Sequence, residues 1–157
     1  MKKSILTTIL LMSVLAMGAQ GRQSEEIMST LQRVNNYFMA KWPDPTVPTN
    51  VKVIRPSSLW TRAVYYEGLM NLYEIDPDER YIDYTDRWAN FHRWTPRNGV
   101  NTNDADDQCC GQTYVERYFQ SGGEEKIVHV IENLDHQMLS GNPKVDNELY
   151  GRSEERR

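Results

Sequence analysis

The sequence predicts an all-α fold built from helical hairpins. Apolar residues recur at steps of three and four through most of the chain, and residues that start and stop helices separate these stretches. Alternation typical of a strand is confined to the short stretch Asn-Val-Lys-Val-Ile at 50–54. Five helices joined by polar connections are therefore expected.

The first two helices are delimited by a proline-rich break. The first is expected to run from Ser24 to about Lys41, because Ser24 precedes two glutamates and an apolar stripe. Three prolines within 43–48 exclude further helix there. A second helix, capped by one of the serines at 57–58, is predicted to end near Glu74.

The third helix has the clearest start signal, with Asp76 as cap and Pro77 at the first helical position. It is expected to end before Thr95-Pro96, because proline and the nearby Gly99 break helices. Its apolar stripe consists of four aromatic residues: Tyr81, Tyr84, Trp88 and Phe91.

Two further helices follow. The fourth is predicted from a cap at 103–104 to about Phe119, and the glycine pair at 122–123 ends it. The fifth begins at the glutamates at 124–125 and closes before Gly141. Four residues form its apolar face: Ile127, Ile131, Leu134 and Met138.

Residues 1–21 have the pattern of a cleaved secretory signal peptide. Two lysines precede an apolar run from Ile5 to about Met17, and small residues follow, before cleavage expected near Gly21. A run of about a dozen apolar residues is shorter than the roughly 20 that span a bilayer, so no membrane association is expected after cleavage. The mature chain is therefore expected to be periplasmic or secreted.

Charge and cysteine content narrow the possible partners. The chain has 22 acidic and 18 basic residues, and nucleic acid is not expected as a partner because nucleic-acid-binding surfaces are basic. Cys109 and Cys110 are adjacent and would bridge only with strain, so both are predicted to be buried in a helix. Neither has a second ligand at metal-binding spacing, so no metal is expected. No other cofactor is expected.

The acid-rich stretch Asn-Asp-Ala-Asp-Asp-Gln-Cys-Cys-Gly-Gln-Thr-Tyr at 103–114 allows three interpretations: a metal site, a redox pair, or the rim of a sugar pocket. Its acids fall in the first turn of a helix, where they would equally serve as caps and as partners of the helix dipole. A sugar pocket also needs aromatic faces, although most aromatic residues at helical spacing pack in cores. The candidates are Trp60, Tyr65, Tyr66, Trp88, Trp94 and Tyr114.

Three segments resemble the amino-terminal part of the family 88 and family 105 glycoside hydrolases, the unsaturated rhamnogalacturonyl and glucuronyl hydrolases. They are the block at 60–84 that begins Trp-Thr-Arg, the segment Trp-Ala-Asn-Phe-His-Arg-Trp at 88–94, and the acid-rich run at 103–118. The resemblance extends from about residue 24 to Asn147.

This resemblance implies part of an (α/α)6 barrel, in which residues 22–147 would supply about five of the twelve helices around a pocket. It also implies an unsaturated oligosaccharide, the product of a polysaccharide lyase, as substrate. An acid protonates the C4=C5 double bond, water adds at C5, and the hemiketal opens to release the sugar. Such a donor needs its pKa raised by an apolar wall, which the tryptophans would suit.

Matching positions assign the site residues that the resemblance implies. The resemblance assigns Asp106 to the site as a catalytic acid, and Asp107 would support it by hydrogen bonding. Trp60 would lie near the sugar, or else pack in a helical hairpin, and Arg62 would meet the uronate carboxylate.

The resemblance ends at Asn147, before the tryptophan-rich segment in which relatives carry their second acid, which is usually the principal proton donor. Residues 148–157 would then be an unrelated disordered tail, and the chain a truncated family member with little or no hydrolase activity. Two alternatives remain: a secreted carbohydrate-binding or partner-binding fragment without catalysis, and a chain that assembles with a complementing C-terminal piece.

Overall fold

The computed structural model describes residues 23–139, so the predicted signal peptide and tail lie outside the described residues. The chain divides after Pro43 into two compact units. In the described part of the first unit, one helix (α1) occupies residues 23–41 and ends where the sequence predicts. Within 23–139, no helix combines the length and the apolar character needed to cross a bilayer.

The second unit opens with a β-hairpin instead of the single short strand that the sequence indicates. Strand β1 (Thr49–Val51) pairs antiparallel with β2 (Val53–Arg55), and Val51 lies opposite Val53. Lys52 makes the turn with a φ of 68°, a left-handed conformation that few non-glycine residues adopt. The local alternation was therefore visible in the sequence, but the tight reversal at a lysine was not.

Helices form the rest of the second unit. In chain order they are α2 (Trp60–Ile75), α3 (Glu79–Phe91), α4 (Ala105–Gln108), α5 (Cys110–Ser121), a 3₁₀ turn (Glu124–Lys126) and α6 (Val128–Leu139). Helix α2 packs against α3, α4 and α5, and α5 packs against α6. The predicted all-α fold class is confirmed for the described residues.

Stacked aromatic rings form the core between α2, α3 and α5. Tyr66 stacks on Trp88 with ring centroids 3.9 Å apart and planes 14° apart. Tyr114 lies 5.5 Å from Trp88 and 5.4 Å from Trp94, so it joins the two tryptophans. Each such ring buries about 150–250 Å², or about 4–6 kcal/mol at 25 cal/mol per Å² before ordering costs. Phe91 differs from the other aromatic residues of its predicted stripe because it is largely exposed at the end of α3.

Two predicted caps are wrong because their side chains serve other contacts. Leu59, without a capping side chain, precedes α2, since Ser57 instead donates from Oγ to the carbonyl of Thr46 at 3.0 Å. The cap of α3 is Asp78, which accepts from the backbone N–H of Arg80 at 2.9 Å. The predicted cap, Asp76, instead ends α2 through its backbone N–H, which donates to the carbonyl of Leu72, and its Oδ2 accepts from the hydroxyl of Tyr81 at 3.3 Å.

The predicted fourth helix is divided at Cys109. An uninterrupted helix would direct the N–H of Gly111 to the carbonyl of Asp107, but that carbonyl accepts from the N–H of Arg97 at 3.0 Å. The prediction that both cysteines are buried is wrong for Cys109, which lies at this division and is only half-buried. Cys110 is buried as predicted, and both thiols are free.

The predicted fifth helix begins later than the glutamates at 124–125. These residues form the 3₁₀ turn, which follows Gly122 and Gly123 at φ values of 68° and 98°. Three residues of its predicted apolar face, Ile131, Leu134 and Met138, are exposed in this unit. The helical period was predicted correctly, whereas burial of this face was not.

Candidate functional site

The candidate acid, Asp106, lies in the first turn of α4 and is half-buried. Asp104 caps this helix, and its Oδ1 accepts from the N–H of Asp106 at 3.0 Å. Asp104 itself is held by its N–H, which donates to Oγ1 of Thr102 at 3.2 Å. The backbone that carries Asp106 is thus fixed by two consecutive side-chain contacts.

Asp107 occupies a different environment from its neighbour, because only 2% of its surface is exposed. Its Oδ2 accepts from Nδ2 of Asn98 at 2.9 Å and from Oγ1 of Thr102 at 2.7 Å. Its Oδ1 lies 2.5 Å from the guanidinium of Arg97. The carboxylate therefore holds the loop before α4 in place. Through Thr102 and Asp104 it belongs to the same chain of hydrogen bonds as the backbone of Asp106.

Asn133 of α6 holds the other side of the same loop. It is buried, and its Nδ2 donates to the carbonyls of Val100 and Thr102 at 2.7 and 2.9 Å. Gln108 adds a third side-chain contact to the loop, from Nε2 to the carbonyl of Thr102 at 3.2 Å. Loops held by several buried side chains are poised to present a fixed group, here Asp106.

The predicted sugar-contacting residues of α2 separate into one exposed and one buried side chain. Trp60, the first residue of α2, is 41% exposed. Arg62 is 5% exposed and lies near Tyr65, Tyr66 and Tyr84. Burial raises the pKa of Tyr65 and Tyr66, and the positive charge of Arg62 partly opposes that rise. Because α4 packs on α2, the structure brings the Asp106 and Trp60 helices together, whereas Arg62 belongs to the tyrosine layer.

A cavity of about 410 Å³ opens between α2, α5 and α6. Neither Asp106 nor Trp60 lines it, although Gln108 of α4 does. The lining residues are Glu67, Pro96, Gln108, Gly111, Gln112, Val115, Glu116, Val130, Asn133 and Leu134. Burial raises the pKa of Glu116, and the negative charges of Glu67 and Glu74 raise it further. The cavity, which is lined by apolar residues and two glutamates, therefore lies beside the helix that carries Asp106 but does not include Asp106.

Sequence reasoning missed the residues that fix the loop. No spacing signal links Arg97, Asn98 and Thr102 to Asp107, or Asn133 to the carbonyl of Val100, since these contacts span between 5 and 33 positions. One signal was available: the Asn98-Gly99 dipeptide is typical of a turn with positive φ, and both residues have it, at 67° and 89°. Among the described residues, no group of three or more acids, histidines and cysteines has an arrangement that could hold a metal ion.

Comparison of the folded chain with solved structures shows two similar proteins. A glycosyl hydrolase family 88 protein from Bacteroides vulgatus is 25% identical, with a TM-score of 0.66 over 78% of this chain and 36% of that chain. A polysaccharide lyase shares the fold at 24% identity, with a TM-score of 0.65 over 76% of this chain and 35% of its own. This chain thus spans about a third of either structure.

Sequence comparison identifies the family. A search of curated protein sequences gives no match. The profile of Glycosyl Hydrolase Family 88 matches residues 30–156, which extends past the boundary at Asn147 where the resemblance was expected to end. Since this match covers most of the chain, and one of the similar structures is a member of the same family, the chain belongs to Glycosyl Hydrolase Family 88.

Proposed function

We propose that this chain carries the acid-bearing wall of a glycoside hydrolase site for unsaturated uronyl oligosaccharides, including those derived from rhamnogalacturonan. The observation that carries the proposal is the contrast between two adjacent acids. Asp107 is buried and engaged by its own loop, whereas Asp106 is half-buried on the helix that packs against the Trp60 helix. Family membership supports the reaction class.

The proposed reaction is hydration of the C4=C5 double bond. Asp106, in its acid form, donates its proton to C4 while the π bond breaks, and water adds its oxygen to C5. The second proton of water returns to a carboxylate, so the donor is restored. The hemiketal then opens to a ketone, and the sugar at the anomeric position leaves as an alcohol. No metal or cofactor takes part in this scheme.

Trp60 is 41% exposed and so offers aromatic surface to a sugar. Contact between Arg62 and the uronate carboxylate stays a prediction, because its guanidinium lies in the tyrosine layer and would reach a ligand only if that layer opened. The match covers 36% of the family 88 structure, so segments of the family fold beyond the matched part contribute the remaining wall of such a site.

The test uses an unsaturated uronyl disaccharide and measures both binding and turnover. Calorimetry is expected to show binding by the wild-type chain, and loss of binding when Trp60 is changed to Ala. Loss of the ultraviolet absorbance of the double bond reports turnover, which we expect to be small until a complementing piece is added. Asp106→Asn should then remove turnover, whereas Asp83→Asn, an exposed acid on α3, should not. Equal turnover by both variants would refute the role of Asp106.

A non-catalytic binding module is the second candidate function, and the 41% exposure of Trp60 favours it independently of any acid. It predicts binding of the disaccharide that depends on Trp60 and is unchanged by Asp106→Asn, with no product under any condition. Both functions fit a periplasmic or secreted protein, in agreement with the signal-like pattern at 1–21. Detection of the chain in periplasmic and culture fractions, processed near Gly21, tests that location.

A further inference from the structure

The β-hairpin at 49–55 is an exposed arm that carries two cations. Lys52 forms its turn and Arg55 ends β2, and both residues are exposed. Residues 45–60 contain no acid, whereas the whole chain has a formal net charge of −4. Within the described residues, neither Lys52 nor Arg55 forms an ion pair. The hairpin is therefore a local basic surface on an acidic chain.

The turn of the hairpin has a lysine where its backbone conformation favours another residue. Lys52 has a φ of 68°, in the left-handed region. Hairpin turns of this kind usually carry glycine, asparagine or aspartate, which adopt such a conformation at little cost. Residues held in sparsely populated conformations cluster at functional sites. Lysine contributes nothing to the shape of this turn, so the property that distinguishes it here is the positive charge at the tip.

Helix α3 holds the base of the hairpin in place. Oγ of Ser57 donates to the carbonyl of Thr46 at 3.0 Å, and this contact closes the segment between the two residues. Nε1 of Trp88 donates to the carbonyl of Ser57 at 2.9 Å, and Nε2 of His92 lies 2.7 Å from Oγ of Ser57. Asp44 accepts from the N–H and the hydroxyl of Thr46 at 3.0 and 2.8 Å. These contacts fix the point at which the basic arm leaves the helices.

The hairpin leads directly into the helix that begins with Trp60. The N–H of Leu59 donates to the carbonyl of Pro56 at 3.1 Å, and this turn joins the end of β2 to the start of α2. Arg55 and the exposed Trp60 are therefore separated by a single turn of the chain. The basic arm thus stands at the end of α2 that offers aromatic surface to a sugar.

We infer that the hairpin recognises the carboxylates of an acidic oligosaccharide beyond the sugar that reacts, with Lys52 and Arg55 as specificity-determining cations. This inference rests on the proposed function, in which Trp60 contacts the sugar and Asp106 protonates it. A uronyl oligosaccharide carries one carboxylate on each uronate, and the part that leaves as an alcohol extends away from the double bond. Lysine and arginine bind carboxylates through charge-assisted hydrogen bonds. The chain should therefore prefer longer acidic oligosaccharides to a disaccharide.

Calorimetry with two unsaturated saccharides derived from rhamnogalacturonan tests this preference. The disaccharide carries one carboxylate, and the tetrasaccharide carries a second on its internal uronate. Wild type is expected to bind the tetrasaccharide about threefold to tenfold more tightly at low ionic strength, and added salt should reduce this gain. Reduction of the internal uronate to a neutral sugar should abolish it. Equal affinities for the two acidic saccharides would refute the inference and leave the proposed function intact, whereas no binding of either would refute both.

A double variant of the hairpin locates the cations. Lys52→Asn with Arg55→Gln should remove the difference in affinity between the two saccharides, and asparagine keeps the turn because it tolerates a positive φ. Arg80→Gln with Arg93→Gln is the matched control, since it removes the same charge from exposed positions on α3 and just after it and should keep the difference. A difference that persists in the hairpin variant would contradict the inference. Equal losses in the two double variants would also contradict it, because they would indicate attraction to net charge alone.

Lys52→Gly separates the charge of the turn from its shape. Glycine adopts a φ of 68° without the steric cost that a side chain brings, so this variant should unfold at a urea concentration equal to or higher than that of wild type. It should nevertheless lose part of the tetrasaccharide gain. Retention of the full gain by a stably folded Lys52→Gly chain would show that the lysine is not a ligand and would overturn its assigned role.

Discussion

Replacement of Asp107 by Asn tests how the loop before α4 is held. The change keeps the shape of the side chain but removes its charge, while the ion-pair partner Arg97 and the donors Asn98 and Thr102 remain. Hydrogen bonds to a charged group contribute about 1.5–3 kcal/mol each, and Asn can still accept one of the two. The side chain of Arg97 is 27% exposed, so water partly replaces its lost partner. The expected loss of unfolding free energy is about 2–4 kcal/mol.

Urea unfolding followed by circular dichroism measures this loss. With an m value of about 1–3 kcal/mol per molar, the midpoint should fall by about 0.7–4 M. Asp83→Asn is the matched control, because Asp83 is exposed on α3. Its unfolding free energy should change by less than about 0.5 kcal/mol. If both variants unfold at the same urea concentration, the buried carboxylate does not stabilise the loop and the proposed placement of Asp106 loses its support.

Three further predictions concern the core and its edges. Trp88→Phe should lower the unfolding free energy by about 2–3 kcal/mol, because the carbonyl of Ser57 loses its 2.9 Å hydrogen bond from Nε1 and the smaller ring leaves a void. A urea midpoint equal to that of wild type would contradict this. Burial lowers the pKa of His92 below its usual 6.5, so the unfolded state binds the proton first and stability should fall as pH drops below about 6.5. Urea midpoints at several pH values should show this slope in wild type and a smaller one in His92→Gln, and identical slopes would exclude His92 as the source. Arg117→Ala should lower the unfolding free energy by about 2–3 kcal/mol in the same assay. This loss is smaller than for a fully buried ion pair, because the side chain of Asp86 is 30% exposed. A loss below about 0.5 kcal/mol would show that the ion pair is solvated.

The sequence was a good guide to the helices of this chain and a poor guide to their ends. Helical period depends on residues three and four positions apart, which the sequence displays directly. Caps depend on which hydrogen-bond partner a side chain has in the folded chain. Ser57 is an ordinary cap candidate by sequence, yet its hydroxyl bonds Thr46 and lies 2.7 Å from Nε2 of His92.

For the candidate site, the sequence located the acids, and the structure separated their roles. Asp106 and Asp107 are adjacent and chemically identical, and only the folded loop shows that one is engaged on both oxygens while the other is half-buried. Similarly, Trp60 and Arg62 are two positions apart on α2, so they point in different directions and differ in exposure.

By itself, then, the sequence determined the helical class, the order of the main helical segments and the family, because each of these depends on local pattern or on quoted motifs. Only the tertiary structure decided which polar groups are hydrogen-bonded within the fold and which apolar faces are exposed. The reason is physical: burial and hydrogen-bond satisfaction are set by groups distant in the chain, such as Asn133 on the carbonyl of Val100, 33 positions away.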